Sequence, residues 1–286
     1  RIQHDSGFIL SFSNTVIYGE WIMLNVIERW LPAICIVCQS AVGAPNWLCG
    51  SCDKAIVYNR SRCLLCSEPI TTLGTCQSCG NRGVAHLDRV VCPLIYTGVV
   101  TQLIHKWKFE GGSELTAFLV KRALWADEKA VTPREWSNDN LLPTSVHLQP
   151  ELGSAPLHHC YWHGLVPIPM GLWRRVLRGY NQSALLAQAL RTHLPDTCAP
   201  PVRYQLLKDR GGSAQHRLQR RARSENRRRR YHAQQPVVGQ HLLLIDDVVT
   251  SGATLSAAAA ELRAAGALSV SAWALARTPA PQWQQV

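Results

Sequence analysis

Four Cys-x-x-Cys pairs near the beginning of the chain constrain its fold more than any other feature of the sequence. They read CIVC, CGSC, CLLC and CQSC, and their cysteines are Cys35, Cys38, Cys49, Cys52, Cys63, Cys66, Cys76 and Cys79. Two residues between cysteines let both thiolates of a tight turn reach one tetrahedral ion, and two such turns complete a site. The pattern therefore predicts two structural zinc sites, because four thiolates leave no open position for catalysis.

Redox-active pairs and buried free thiols are the alternatives, but four pairs in so short a segment favour metal binding over both. Two pairings of the motifs remain open. Consecutive pairs can form two zinc ribbons, one after the other, or the first pair can share an ion with the third. Cys92, Cys160 and Cys198 lie outside the pattern and are interpreted as ordinary thiols.

Composition indicates a globular protein with a preference for anionic partners. The chain has 286 residues, of which 47% are apolar, and a net charge of +11. A basic protein attracts phosphates and nucleic acid. No run of about 18 uncharged apolar residues predicts a membrane-spanning helix, and no signal peptide is recognised. We therefore expect a cytoplasmic location.

Three zones follow one another along the chain. Residues 1–33 are predicted to be an extension, and the segment before Met23 is interpreted as translated upstream or added artificially, with a native start at Met23. Residues 34–82 form the predicted zinc-ribbon module. Residues 83–280 form a second domain, interrupted near 125–160 by a polar, Pro-containing loop insertion.

The second domain alternates between strand-like and helix-like patterns. HLDRVVCPLIYTG, LVPIP, HLLLI and LSVSAWALART are predicted strands. VVTQLIHKWKFEGGSELTAFLVKRAL predicts helix, turn and helix, and NQSALLAQALRTHL and TLSAAAAELRAAGA predict one helix each. This alternation is typical of an α/β fold with a largely parallel sheet and flanking helices.

HLLLIDDVVTSGATL places two adjacent acids after four apolar residues of a buried strand. Ionised groups in such a place are costly without partners, so a polar ligand is expected there. Asp246 and Asp247 suit the neighbouring hydroxyls of a sugar, or a Mg²⁺ ion shared with a diphosphate. The small residues that follow favour phosphate binding at a helix N-terminus. They are Thr250, Ser251, Gly252, Ala253 and Thr254. The alternative is a loop of this shape without a ligand.

Two arginine-rich segments add positive charge. In VPIPMGLWRRVLRGYNQS, the side chains of Arg174, Arg175 and Arg178 can contact a diphosphate or simply begin a solvated helix. The run RLQRRARSENRRRR ends with Arg227, Arg228, Arg229 and Arg230. It is interpreted as a solvated face, a mobile cover over a pyrophosphate, or a track for single-stranded nucleic acid.

LLLIDDVVTSGAT resembles the phosphoribosyl pyrophosphate motif of type I phosphoribosyltransferases. Together with LIHKWKFEGG, the two arginine segments and the cysteine pairs, it makes the chain similar to the ComF/GntX family, in which a cysteine-rich module precedes a phosphoribosyltransferase-like domain. The resemblance implies that Asp246 and Asp247 contact ribose hydroxyls, that 250–254 holds the 5′-phosphate, and that Arg174, Arg175 and Arg178 border the pyrophosphate. It also implies Mg²⁺ with phosphoribosyl pyrophosphate, and a role in DNA uptake, competence or the use of DNA as a nutrient.

One position departs from the purine-salvage transferases, which carry an Asp where this chain has Thr250. Thr250 cannot act as a general base at neutral pH, so transfer to a nucleobase is not predicted. Two functional hypotheses follow. The first is a phosphoribosyltransferase-like protein that binds phosphoribosyl pyrophosphate. The second is a zinc-ribbon protein that binds single-stranded DNA and whose transferase fold has lost catalysis.

Overall fold

The computed structural model describes residues 33–43, 46–71, 74–80, 83–109, 113–128, 162–171, 179–194, 199–210 and 230–281. The chain divides into two compact units, Arg1–Ala55 and Ile56–Val286. This division falls inside the cysteine-rich segment that the sequence predicts as one module, so the last two cysteine pairs share a unit with the α/β domain. Among the described residues, no helix combines the length and the apolar character needed to cross a bilayer.

The first unit contains a two-stranded antiparallel ribbon and one short helix. Strand β1 (Ala33–Ile34) pairs with β2 (Ala41–Val42), and helix α1 (Gly50–Lys54) follows. Cys49 caps α1, because its Sγ accepts a hydrogen bond from the amide of Cys52. One turn of helix thus holds both cysteines of the second pair on the same side of the chain.

The second unit is built on a five-stranded, entirely parallel sheet. Its strands are β3 (Val90–Val91), β4 (Leu94–Ile95), β5 (Gly164–Pro167), β8 (His241–Val249) and β9 (Ser269–Arg277). Strands β3 and β4 both pair with β9, β9 pairs with β8, and β8 pairs with β5. The α/β fold predicted from the alternating pattern is confirmed.

Four helices flank or precede these strands. They are α2 (Gly98–Phe109), α3 (Ser113–Glu128), α4 (Gln182–Thr192) and α5 (Ala253–Ala264). Helix α4 contacts α3, β5 and β8, whereas α5 contacts β8 and β9. Helix α3 continues to Glu128, and the rest of the predicted insertion, 129–161, lies outside the described residues.

The central strands β8 and β9 are apolar because they are covered on both faces, as is usual for parallel sheets. Residues 242–245 of β8 and 270–276 of β9 are buried. The sequence predicts that β8 ends at Ile245, but the strand extends to Val249. Asp246 therefore lies within the ladder, opposite Ala274 of β9, and pairing with β9 keeps the backbone extended through both acids.

A two-stranded antiparallel ribbon, which the sequence did not predict, stands outside the sheet. Strand β6 (Leu207–Asp209) pairs with β7 (Tyr231–Ala233). The two strands flank the arginine-rich segment, of which 211–229 lies outside the described residues. The backbone amide of Arg210 also donates to the carbonyl of Arg230 at 2.9 Å, so the chain leaves and re-enters the ribbon at neighbouring points.

Candidate functional site

The carboxyl ends of β5, β8 and β9 lie side by side because the strands are parallel and in register. Pro167 is opposite Ile245, and Val249 is opposite Arg277. In open parallel sheets, ligands bind at this edge. Asp246, Asp247 and the loop leading into α5 all belong to it.

Asp246 is partly buried and accepts two hydrogen bonds at the same carboxylate oxygen. Ser183 Oγ, from the first turn of α4, lies 3.2 Å from Oδ1, and the backbone amide of Asp247 lies 2.9 Å from it. Burial, and then the negative charge of Asp247, raise the pKa of Asp246 to about 7. The carboxyl group is therefore poised to change its protonation state near neutral pH.

Asp247 is paired with a lysine that the sequence interpretation did not assign to the site. Lys108 Nζ, in the last turn of α2, lies 2.5 Å from Asp247 Oδ2, and the two side chains are only 17% and 18% exposed. The backbone amide of Val248 donates to Oδ1 at 2.6 Å. Lys108 thus supplies a local positive charge beside the two acids.

Helices α2 and α4 are held together next to these acids. The Tyr180 hydroxyl donates to the carbonyl of Trp107 at 2.5 Å, one residue before Lys108. Asn181 Oδ1 accepts from the amide of Ser183 and caps α4, while Asn181 Nδ2 donates to the carbonyl of Ile168, just after β5. The motif GYNQS therefore positions the hydroxyl that contacts Asp246.

The loop after β8 is short and its backbone is tightly constrained. Gly252 has a φ of 73°, in the left-handed region that favours glycine, and it precedes α5 without a side-chain cap. A Cβ atom at this position would lie 3.1 Å from Val84 Cγ1. The amide of Ala253 donates to Ser251 Oγ at 3.4 Å. The amides of the first turn of α5, which includes Thr254, have no intrahelical acceptors and favour an anion.

Arg230 is the one predicted nucleic-acid contact among the described residues. Its guanidinium is bound to Asp209, with Nη2 at 2.9 Å and Nε at 3.2 Å from the same carboxylate oxygen. Burial opposes the charge, but the Asp209 hydrogen bond and the charge of Asp246 raise the pKa of Arg230. Arg174, Arg175, Arg178 and Arg227–Arg229 lie outside the described residues.

The eight cysteines of the four Cys-x-x-Cys motifs form two separate clusters. In each cluster, the four Sγ atoms lie within 4.8 Å of one another. The clusters are Cys35, Cys38, Cys49 and Cys52, and Cys63, Cys66, Cys76 and Cys79. The structure therefore selects the consecutive pairing, which spacing alone left open.

The geometry of both clusters fits zinc. Adjacent sulfurs in a tetrahedral site with Zn–S bonds of about 2.3 Å are about 3.8 Å apart. Cys38 and Cys49 Sγ are 3.6 Å apart, as are Cys66 and Cys76 Sγ. Gln39 and Ser67, each directly after the second cysteine of a pair, have left-handed φ values of 62° and 59°. The two turns have the same backbone conformation, and their cysteines would hold one ion per cluster.

The electrostatics of the clusters support the same conclusion. The hydrogen bond from Cys66 lowers the pKa of Cys63 to about 4, and the reciprocal interaction, together with burial, raises the pKa of Cys66. Protein groups alone therefore stabilise some thiolates at the expense of others. A divalent cation stabilises all four together. Cys92, by contrast, is fully buried away from both clusters, and burial raises its pKa to about 12.

Comparison with known proteins finds a family model that covers the cysteine-rich segment and relatives that match most of the chain. The model of the double zinc ribbon domain matches residues 26–80. DNA utilization protein YhgH of Salmonella typhimurium is 30% identical over 250 residues, which make up 87% of this chain and 98% of that protein. The Escherichia coli K12 protein of the same name is 28% identical with the same coverage. The chain belongs to the YhgH family.

Membership in the YhgH family supports the ComF/GntX resemblance and, with the cysteine geometry, the two structural zinc sites. The roles of Asp246, Asp247 and residues 250–254 as ligand-binding groups stay predictions, as does the phosphoribosyltransferase-like nature of the sheet domain. Sequence reasoning missed Lys108 and Ser183 as neighbours of the acids. Both residues belong to segments quoted above, Lys108 to LIHKWKFEGG and Ser183 to GYNQS. In each case a polar residue close to glycine was the sequence signal that could have identified them.

Proposed function

We propose that this protein binds a phosphorylated ribose, with phosphoribosyl pyrophosphate as the best candidate, and acts in the uptake or use of DNA. The observation that carries the proposal is the pair Asp246 and Asp247 at the carboxyl end of β8, directly before the loop into α5. Their carboxylates can accept hydrogen bonds from adjacent ribose hydroxyls, and the loop offers amides to a 5′-phosphate. A cytoplasmic location is expected for such a protein.

Lys108 sharpens the proposed binding mode. Its ammonium already neutralises Asp247, so a Mg²⁺ ion at that carboxylate would have to displace it. A magnesium–diphosphate ligand would bring both a cation for the acids and phosphate oxygens for the released ammonium. We therefore expect the Lys108–Asp247 pair to open when the ligand binds with Mg²⁺. Thr250 supplies no general base, so the proposal is one of ligand binding and does not include transfer of ribosyl phosphate.

Calorimetric titration of the zinc-loaded full chain with phosphoribosyl pyrophosphate tests the site, with and without Mg²⁺. We expect binding by the wild type and its loss in the double variant Asp246→Asn with Asp247→Asn. Asp88→Asn is the matched control. Asp88 also carries an ion pair, with Arg263 at 2.6 Å, but it contacts the amino end of β9 through the amide of Val270. The absence of heat with the wild type, or unchanged binding by the double variant, refutes the site.

Single-stranded DNA binding is the second candidate function. The net charge of +11, the arginine-rich segment between β6 and β7 and the matched zinc ribbon model favour it. The pairing of Arg230 with Asp209 makes 227–229 the appropriate target, because replacing Arg230 would also disturb the ribbon. The relatives are named DNA utilization proteins, which also favours DNA as the nucleic acid bound here.

Fluorescence anisotropy with a labelled oligonucleotide at several salt concentrations tests this function. Replacing Arg227, Arg228 and Arg229 by Gln should weaken binding and lower the salt dependence of the affinity. Replacing Lys121, Arg122 and Arg191, on helices α3 and α4, removes the same charge elsewhere and is the control. If both triple variants lose the same affinity, the effect is one of net charge and the assigned track is wrong.

A further inference from the structure

The second cysteine cluster is connected to the loop after β8 through two buried charged residues. Glu68 follows Cys66 by two positions and is 9% exposed. Its carboxylate forms an ion pair with Arg277, whose Nη2 lies 2.9 Å from Oε2, and accepts a hydrogen bond from the amide of Ala280 at 2.6 Å. Charges this well buried are stable only when they are paired and hydrogen-bonded, so the geometry of each partner depends on the other.

Arg277 carries the connection from Glu68 to the loop. It is the last residue of β9, and its Nη1 donates to the carbonyl of Val249 at 3.1 Å and to the carbonyl of Thr250. The backbone amide of the next residue, Thr278, also donates to Val249 at 2.9 Å. These acceptors are the last residue of β8 and the first residue of the loop. Arg277 therefore determines the direction in which the chain leaves the strand.

Val84 provides a second, apolar route between the same two places. It packs against the cluster formed by Cys63, Cys66 and Cys79, and it also packs against the main core. Its Cγ1 lies 3.1 Å from the position of a Cβ at Gly252. A displacement of the cysteine cluster would therefore move Val84 and, through it, the turn at Gly252 before α5.

The turn that carries Glu68 is itself anchored to the sheet. Ser67 Oγ donates to the carbonyl of Val90 and accepts from the amide of Cys92, both at 2.9 Å. Asn59 Nδ2 donates to the carbonyls of Ser67 and Cys92. Backbone hydrogen bonds close the turn itself, from the amide of Cys63 to the carbonyl of Glu68 at 2.8 Å and from the amide of Ser67 to the carbonyl of Cys63 at 3.0 Å. An ion held by the four cysteines would tie this turn to the turn that carries Cys76 and Cys79.

We propose that the second zinc site sets the conformation of the 250–254 loop, with Glu68 and Arg277 as positioning residues, and that the first site does not. Zinc holds the turn from Cys63 to Glu68, Glu68 orients Arg277, and Arg277 fixes the carbonyls at the start of the loop. Loss of zinc from the second site therefore frees the loop and weakens ligand binding there. The part concerning the ligand rests on the function proposed above.

Hydrogen exchange at the amides of Ser256 and Thr278, which donate to the carbonyls of Gly252 and Val249 on either side of the loop, tests the structural part without any ligand. Glu68→Gln in the zinc-loaded full chain should speed exchange of these amides roughly tenfold, because Gln replaces a contact between two charged groups by a weaker one with a neutral amide. Cys63→Ser with Cys66→Ser should do so at least as strongly. Cys35→Ser with Cys38→Ser, which removes the first site, should leave the loop unchanged.

Two further measurements keep the outcomes distinct. Exchange in the last two turns of α5 and in β9 reports whether a variant has unfolded as a whole, and Glu261→Gln on α5 is the matched control for the milder variant. If the loop exchanges at the wild-type rate in Glu68→Gln, the proposal is overturned even if the cysteine variants fail to fold.

Titration with phosphoribosyl pyrophosphate tests the ligand part. Glu68→Gln should bind roughly tenfold more weakly, in proportion to the loosening of the loop. If the wild type does not bind, the proposed function fails, and the exchange experiment alone decides the link between zinc and the loop. If the wild type binds and Glu68→Gln binds equally well with a loosened loop, the assignment of Glu68 as a positioning residue for the ligand is wrong.

Discussion

Replacing Asp246 by Asn should make the stability of this protein less sensitive to pH around neutrality. Burial raises the pKa of Asp246 from 3.8 to about 7 in the folded protein. A raised pKa means that the folded state holds a proton that the unfolded state has released. The corresponding stability is fully present below pH 3.8 and is lost progressively as the pH rises through about 7.

The size of the effect follows from the two pKa values. At about 1.4 kcal/mol for each pH unit that separates them, the complete loss is about 4 kcal/mol. About 2 kcal/mol of it falls between roughly pH 5.5 and pH 8, and any pH dependence of zinc binding is common to the wild type and the variant. Asn keeps an oxygen for Ser183 and for the amide of Asp247, so the variant removes the titration with little change in shape.

Thermal unfolding at pH 5.5 and pH 8 in the presence of zinc measures this difference. The wild type should lose roughly 3 °C more in Tm than Asp246→Asn between the two conditions, which corresponds to about 2 kcal/mol for a chain of this size. Asp88→Asn, in the exposed ion pair with Arg263, should behave like the wild type. Equal pH dependence of the wild type and Asp246→Asn would refute the assignment of a neutral-range pKa to this carboxyl.

Three other results are expected. Lys108→Met should move the transition of Asp246 to higher pH, because the Lys108 charge lowers the pKa of that carboxyl; the same Tm series measures it. Gly252→Ala should cost about 1–3 kcal/mol more than Gly239→Ala in chemical denaturation, since both have a φ of 73° but only Gly252 has a close neighbour. Metal analysis should find two zinc ions per chain, and Cys66→Ser should retain one; retention of both would contradict the assigned cluster.

The parts of the fold that were predictable are those encoded by local spacing. A Cys-x-x-Cys turn brings its two sulfurs together whatever surrounds it, so the metal ligands could be named without a structure. Alternating apolar runs likewise identified the strands and helices of the α/β domain. The end of β8 was misplaced because Asp246 and Asp247 are polar, whereas the strand is prolonged by its hydrogen bonds to β9.

Only those residues of the candidate site that are neighbours in sequence could be predicted. Asp246, Asp247 and residues 250–254 are consecutive, so the motif showed them together, but nothing in the motif indicated what faces them. Lys108 lies far away in sequence and reaches Asp247 because α2 ends at the same edge of the sheet. Its charge and the burial of Asp246 determine the electrostatics of the site, and both are properties of packing.

By itself, the sequence determined which eight cysteines bind metal and the order of the strands and helices of the parallel sheet domain, because these depend on contacts between residues a few positions apart. Tertiary structure decided which cysteine pairs share an ion, which cation neutralises the acids, and that Glu68 and Arg277 connect the second cysteine cluster to the loop after β8. Each of these depends on the three-dimensional distance between distant segments, and burial then makes the resulting charge contacts strong enough to matter.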